Sequence, residues 1–118
     1  MTFPFEQLEV WRRSVSFAEK LLSFADQKID RKDAFSLGEQ LRRAVISISN
    51  NIAEGGGRNN RKEKKYFYNI ARGSVYEVVS LLEICKRRGY LEQGGHATLY
   101  RDAEEIARML SGLMNSAS

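Results

Sequence analysis

Apolar residues recur every three or four positions along most of the chain, the spacing that is typical of amphipathic helices. The pattern predicts four helices joined by short connections, and such a series favours an antiparallel up-down-up-down bundle. We therefore expect an all-α protein with a single four-helix-bundle domain over residues 1–118. The predicted helices run from Pro4 to the connection that starts at Gln27, from Ser36 or Leu37 to Glu54, from Arg61 to the turn at Gly89, and from Ala97 to Met114.

Local signals place the ends of the two central helices. Ser36 and Glu39 have the spacing of a capping box, and Asn60 with Glu63 has the same spacing before the third helix. The run of glycines at 55–57 predicts a helix stop in which glycine adopts the left-handed conformation.

A column of polar residues follows one flank of the second helix. Apolar side chains lie on both sides of this column, at Ile46 and Ala53, so it cannot simply be the solvated face. Buried polar groups are tolerated only when they are paired. We therefore expect the column to be sealed against a neighbouring copy of the chain. Its members are Gln40, Arg43, Ser47, Asn51 and Glu54.

The third helix has more apolar surface than one core stripe needs, which favours a contact with another subunit. Phe67 and Ile70 are assigned to the core, and further apolar residues, Tyr68 among them, widen the apolar surface beyond one stripe. Gly73 is costly in a helix interior and indicates a place where two backbones approach closely.

Glu77 lies at the edge of the core stripe of the third helix. Two interpretations remain open for it. It pairs with Arg43 or with the amides of Asn50 and Asn51, or it is a solvated carboxylate.

The composition favours a negatively charged partner. The chain has 118 residues, a net charge of +4 and a pI near 9.4, and nucleic acid is the common polyanion of the cytoplasm. Exposed aromatic residues do not alternate with the cations, so base stacking is not expected. The predicted phosphate contacts are Arg42, Arg58, Arg61, Lys62, Lys64, Lys65 and Arg72.

The glycines before these cations lack the Gly-Lys-Ser/Thr ending of a phosphate-binding loop. A single cysteine, Cys85, fits a reducing compartment. No secretory signal and no apolar run of the ~20 residues that a membrane span needs is visible, so we expect a cytoplasmic protein with no membrane partner.

No catalytic chemistry is indicated. His96 is the single histidine, and with one cysteine it cannot complete a zinc site or a triad. Burial could raise the pKa of Glu54 or Glu77 for carboxylate catalysis, but nearby arginines would hold both ionised. We therefore expect no enzyme activity, no cofactor, no metal and no small-molecule substrate.

Several segments of the chain form a recognisable pattern. They are Gln-Leu-Arg-Arg-Ala at 40–44, followed by Ser-Ile-Ser-Asn-Asn-Ile-Ala-Glu-Gly at 47–55 and Arg58, then Ile-Ala-Arg-Gly-Ser at 70–74 with Glu77, Gly-Tyr-Leu at 89–91, and Leu8 to Trp11 and Met109-Leu110 near the two ends. In these segments the chain resembles the four-helix-bundle proteins encoded in intervening sequences of 23S rRNA genes. Ser49 stands where the family often has proline. The resemblance implies a ring-like homopentamer. It also implies a fold shared with the accessory variability proteins of retroelements, which are basic pentamers that bind nucleic acid and a reverse transcriptase.

Two functional hypotheses follow. The first is a non-enzymatic homo-oligomer that binds nucleic acid, RNA above all, through its basic surface. The alternative is a protein-interaction scaffold or an accessory subunit, for example of a reverse transcriptase, in which the positive charge serves only solubility.

Overall fold

The computed structural model describes residues 2–116, and all of the regular structure in that range is helical. A single 3₁₀ turn, Pro4–Gln7, comes first, and a short helical turn, Arg31–Asp33, with a π-helical segment, Ala34–Gly38, leads into the second long helix. The prediction of an all-α chain with four helices is confirmed. The long helices are α1 (Glu9–Lys28), α2 (Glu39–Gly56), α3 (Arg61–Arg87) and α4 (Gln93–Ser116).

The four helices bury their apolar stripes in one core. The α2 stripe follows the predicted period, and Leu41, Val45, Ile48 and Ile52 are all fully buried. Contacts are densest between α2 and α3, so these two helices form the centre of the fold.

Two assignments on the third helix are wrong. Ile70, which was expected in the core, is exposed, and Tyr68, which was expected to widen the apolar surface, is buried. Tyr68 fits inside because Gly55 faces it, and a Cβ atom at Gly55 would lie only 2.7 Å from Tyr68 Cε1. Because Ile70 faces outward, an apolar side chain lies on the surface of α3.

The start of α2 differs from the prediction. Ser36 lies within the π-helical segment and its hydroxyl donates to the Asp33 carbonyl at 3.4 Å, so Ser36 and Glu39 form no capping box. Helical structure already begins at Arg31. The cap of α3 is confirmed, because the Asn60 side chain accepts from the Glu63 backbone N–H at 2.8 Å.

The glycines at the end of α2 act by size rather than by a left-handed turn. Gly57 has a φ of −89°, and among the described residues only Gly89, at 84°, has a positive φ. Gly56 lies against Phe5, where an added Cβ would come within 2.9 Å of Phe5 Cβ. The prediction of a left-handed stop is therefore wrong, and close packing takes its place.

Candidate nucleic-acid interface

Three of the seven predicted phosphate contacts are held by an ion pair or by a cap on the end of a helix. Arg42 pairs with Asp26 at 2.6 Å. Lys64 Nζ lies 3.4 Å from the carbonyls of Gly55 and Gly56, where it caps the end of α2.

Arg58 is the third of these. Its guanidinium pairs with Glu54 at 2.6 Å and lies 4.7 Å from the centre of the Phe67 ring. Its Nε is buried and has no hydrogen-bond partner in the described part of the chain. Arg58 is therefore held against the protein by this ion pair and by its contact with the Phe67 ring.

None of the other four cations forms an ion pair with a described residue or caps a helix. Arg61, Lys62 and Lys65 form no side-chain hydrogen bond or ion pair with any described residue. Arg72 donates only to neutral groups. Its partners are the Ser111 hydroxyl at 2.9 Å and the Asn69 side chain at 3.3 Å.

Arg61, Lys65 and Arg72 are four and seven residues apart, so they share one face of α3, with Lys62 at its edge. The set extends about 16 Å along the helix at the 1.5 Å rise per residue. We call Arg61, Lys62, Lys65 and Arg72 the basic strip.

The far end of α3 is also rich in cations, but there each cation has an acidic partner. Lys86 and Arg87 lie 3.3 and 2.8 Å from the carboxylate of Glu83, and Arg88 pairs with Asp33 at 2.7 Å. The hydrogen bond from Arg87, and then that from Lys86, lowers the pKa of Glu83. This end carries little charge that is free to meet a polyanion.

Asp33 accepts hydrogen bonds from the Tyr90 hydroxyl and from Arg88. The Tyr90 hydrogen bond first, and the Arg88 hydrogen bond second, lower the pKa of the Asp33 carboxyl. The contact ties the start of α2 to the turn after α3. Sequence reasoning missed it, because Asp33 and Tyr90 are 57 positions apart and neither belongs to a local motif.

The polar column divides into a paired and an unpaired part. The hydroxyls of Ser47 and Ser74 are 2.8 Å apart, and the Asn51 amide donates to the Ser47 carbonyl at 2.9 Å and to its hydroxyl at 3.0 Å. Gln40 and Arg43 of the column have no side-chain partner among the described residues, and neither does Asn50 beside it.

The Arg43–Glu77 pair does not form within one chain, and Glu77 does not reach the amides of Asn50 or Asn51. Instead, Arg43 and Glu77 line an open groove of about 500 Å³ between α2 and α3, together with Gln40 and Ser47.

Exposed apolar residues lie on the same two helices as this groove, and those of α3 recur at helical spacing on the face that carries Glu77. Ile46 of α2 and Tyr66, Ile70 and Ile84 of α3 all face outward. A Cβ atom added at Gly73 would have no neighbour within 4 Å in the chain, so no close backbone approach occurs there within one copy. We call this region, with the unpaired part of the polar column, the α2–α3 face.

The structure also exposes aromatic residues that the sequence analysis did not expect beside the cations. Tyr76 and Tyr100 lie on opposite sides of a second groove, of about 300 Å³, between α3 and α4. A helical projection of the sequence could have shown that an aromatic residue lies beside the cations, because Tyr76 lies four residues after Arg72 on the same face of α3.

Other kinds of site are not evident within residues 2–116. No group of three or more His, Cys, Asp or Glu side chains is placed to hold a metal ion. No described helix is both long enough and apolar enough to cross a bilayer.

Fold and site together define an all-α, four-helix protein with an uncompensated basic strip along one of its central helices. The family model of the 23S rRNA-intervening sequence protein matches residues 6–112. The chain belongs to this family, which confirms the resemblance seen in the sequence.

A similar solved structure is the crystal structure of a protein of unknown function from the S23 ribosomal protein family of Bacteroides thetaiotaomicron. It has a TM-score of 0.84 and 23% identity over 91% of this chain and 96% of that chain. At this identity the likeness shows the fold alone. No curated protein matches the chain.

Proposed function

We propose that the protein is a non-enzymatic, cytoplasmic homo-oligomer that binds nucleic acid, RNA in the first place, through the basic strip. One observation carries the proposal: four cations share one region of α3 and none of them has a carboxylate partner in the described chain. Unpaired cations in a row supply the sequence-independent part of binding to a phosphate backbone.

The mechanism is electrostatic. Each strip cation that meets a phosphate releases counterions, so affinity falls as salt rises. For single strands the slope of log K against log salt is about −0.7 per phosphate contact, which gives about −3 for four contacts.

The test compares two double variants that remove the same charge from the same helix. Arg61→Gln with Lys65→Gln should weaken binding of ribosomal RNA fragments about tenfold and reduce the salt slope by about 1.4, because two phosphate contacts are lost. The control is Lys86→Gln with Arg87→Gln, which removes cations already paired with Glu83 and should have little effect. Equal losses would contradict the role of the basic strip, because net charge would then govern binding. No measurable RNA binding by the unaltered chain at low salt would favour a scaffold whose charge serves solubility.

Self-assembly through the α2–α3 face is the second part of the proposal, with the family's ring-like pentamer as the expected form. Three observations support it: the exposed isoleucines, the unpaired Arg43 and Glu77 beside one groove, and the open surface at Gly73. A neighbouring copy would pair these polar groups and cover the apolar ones.

The expected up-down order of the helices belongs to the same proposal. Phe5 beside Gly56 joins the start of α1 to the end of α2. Gly55 beside Tyr68 joins the end of α2 to the start of α3, and Asp33 with Arg88 joins their other ends. These contacts support alternating directions.

Two exposed aliphatic residues of nearly equal exposure test the interface. Ile70, 37% exposed, lies on α3 within the α2–α3 face, and Val15, 40% exposed, lies on α1. Ile70→Asp should convert the assembly to monomers in a mass measurement, because it would bury an unpaired charge. Val15→Asp should leave the assembly intact. The reverse result would move the interface to α1.

A further inference from the structure

The groove between α3 and α4 has the form of a small aromatic-walled site on the surface. Its side walls are Tyr76 and Tyr100, which are 61% and 46% exposed and face solvent without covering one another. Its volume of about 300 Å³ is at the lower end of the range for small-ligand sites. The floor is apolar and consists of Val75, Val79, Ala103 and Ala107.

The basic strip runs directly into this groove. Arg72 precedes Tyr76 by one helical turn, about 6 Å along α3. Its guanidinium crosses to α4 and donates to Ser111, which lies one turn beyond the groove floor residue Ala107. A cation without a carboxylate partner therefore closes one end of an apolar, aromatic-walled groove.

The groove contains one charged side chain of the opposite sign. Glu104 lines the α4 side and has no hydrogen-bond or ion-pair partner among residues 2–116. A carboxylate repels phosphate, so a phosphate cannot be what lies beside it. It can accept hydrogen bonds from the exocyclic amine of a base, as acidic side chains do with the N4 amine of cytosine.

From this arrangement we infer that the groove binds one unpaired nucleobase of the nucleic acid whose backbone follows the basic strip. The base stacks on Tyr76 and Tyr100, its amine is bound by Glu104, and its phosphate lies at Arg72. Stacking needs an accessible base, so the ligand is single-stranded or has an unpaired loop. The inference rests on the proposed function and narrows its ligand to unpaired nucleic acid that carries amine-bearing bases.

Oligocytidylate and oligouridylate of equal length provide the test. Cytosine presents an amine where uracil presents a carbonyl, whereas backbone and charge are the same. The full chain should bind oligocytidylate about tenfold more tightly in a fluorescence anisotropy titration at low salt. It should bind both more tightly than a duplex of matched length.

Variants separate stacking, amine recognition and phosphate contact. Tyr76→Ala with Tyr100→Ala should weaken binding of both oligomers about tenfold without changing the salt slope, since the phosphate contacts remain. Glu104→Gln should bring the cytidylate-to-uridylate ratio close to one without weakening uridylate binding. Arg61→Gln with Lys65→Gln should lower the salt slope and leave that ratio unchanged.

The results distinguish a failure of the groove inference from a failure of the proposed function. If binding is salt-dependent through the strip but equal for duplex, cytidylate and uridylate, the groove inference is wrong and the proposed function stands. If no nucleic acid is bound at low salt, both are wrong. If the tyrosine variant changes the mass of the assembly and leaves oligonucleotide binding unaltered, the groove is a protein contact and the inference is overturned.

Discussion

The two ends of α3 hold α2 by different means. At the start of α3, a glycine packed against an aromatic ring connects the two helices, because Tyr68 fills the space left by Gly55. At the far end of α3, charged hydrogen bonds make the connection, because Asp33, in the helical turn that leads into α2, accepts from Arg88 and from Tyr90.

This difference decides where positive charge is available. Where packing makes the connection, Arg61 and Lys65 have no partner in the described chain and can meet a polyanion. Where ion pairs make the connection, Arg88 is paired with Asp33, and the neighbouring Arg87 is paired with Glu83. Two segments that are both rich in Lys and Arg therefore differ in how much positive charge they leave without an acidic partner, and charge counts alone do not show this difference.

Gly55→Ala should produce the largest effect, because it disrupts the packed end. The new Cβ would lie 2.7 Å from Tyr68 Cε1, and the buried ring has little room to move. Overpacking of this kind costs about 1–3 kcal/mol, more than the ~0.5–1 kcal/mol that alanine gains over glycine in a helix. Chemical denaturation should show a net loss of stability.

Gly73→Ala is the matched control for Gly55→Ala. Its Cβ would meet nothing within 4 Å in the chain, so stability of the single chain should rise by about 0.5–1 kcal/mol. A loss of stability at both glycines would mean that backbone conformation, not the space beside Tyr68, sets the requirement at Gly55.

Much of the fold could be predicted from the sequence because the evidence for it is local. The 3.6-residue period located four helices, and the Asn60 cap fixed the start of α3. The start of α2 could not be predicted in the same way. Asp33 is anchored there by Arg88 and Tyr90, residues more than 50 positions away, and this tertiary contact overrides the local signal at Ser36.

The candidate site was predicted only in part, since a sequence does not show which charges are neutralised. Arg58 and Lys64 stand in the same basic run as Arg61 and Lys65, yet one pairs with Glu54 and the other caps α2. The Lys64 contact comes from the packing of α2 on α3, whereas Glu54 and Arg58 form a local pair four residues apart. The groove beside Tyr76 could not be predicted, because residues of α4 form its other side and the sequence does not show how α4 packs on α3.

Asp33→Asn should have an intermediate effect, at the ionic end. The pKa of Asp33 is lowered in the folded state, so its carboxylate stabilises the fold above the ordinary value of 3.8, and this contribution is lost as pH falls through the lower folded value. The wild type should therefore be more stable than the variant at neutral pH, and the gap should close in acid. Denaturation midpoints measured across that pH range give the result.

Asp26→Asn provides the control for Asp33→Asn. It removes an exposed pair with Arg42, and such pairs contribute only about 0–1 kcal/mol. If the stability difference between Asp33→Asn and the wild type stays constant down to strong acid, the carboxylate charge does not stabilise the contact at the far end of α3.

Glu83→Gln should have the smallest effect. It tests the comparison because it leaves cations without acidic partners at the far end of α3, as they already are at its start. Loss of this carboxylate leaves Lys86 and Arg87 without their acidic partner. RNA affinity at low salt should rise about 1.4- to fivefold, in keeping with the ~0.2–1 kcal/mol of an exposed ion pair, and the salt slope should steepen. Glu19→Gln changes the net charge equally but releases no cation, because Glu19 has no ion pair among residues 2–116. If the two variants gain affinity equally, net charge governs binding and the pairing of individual cations does not.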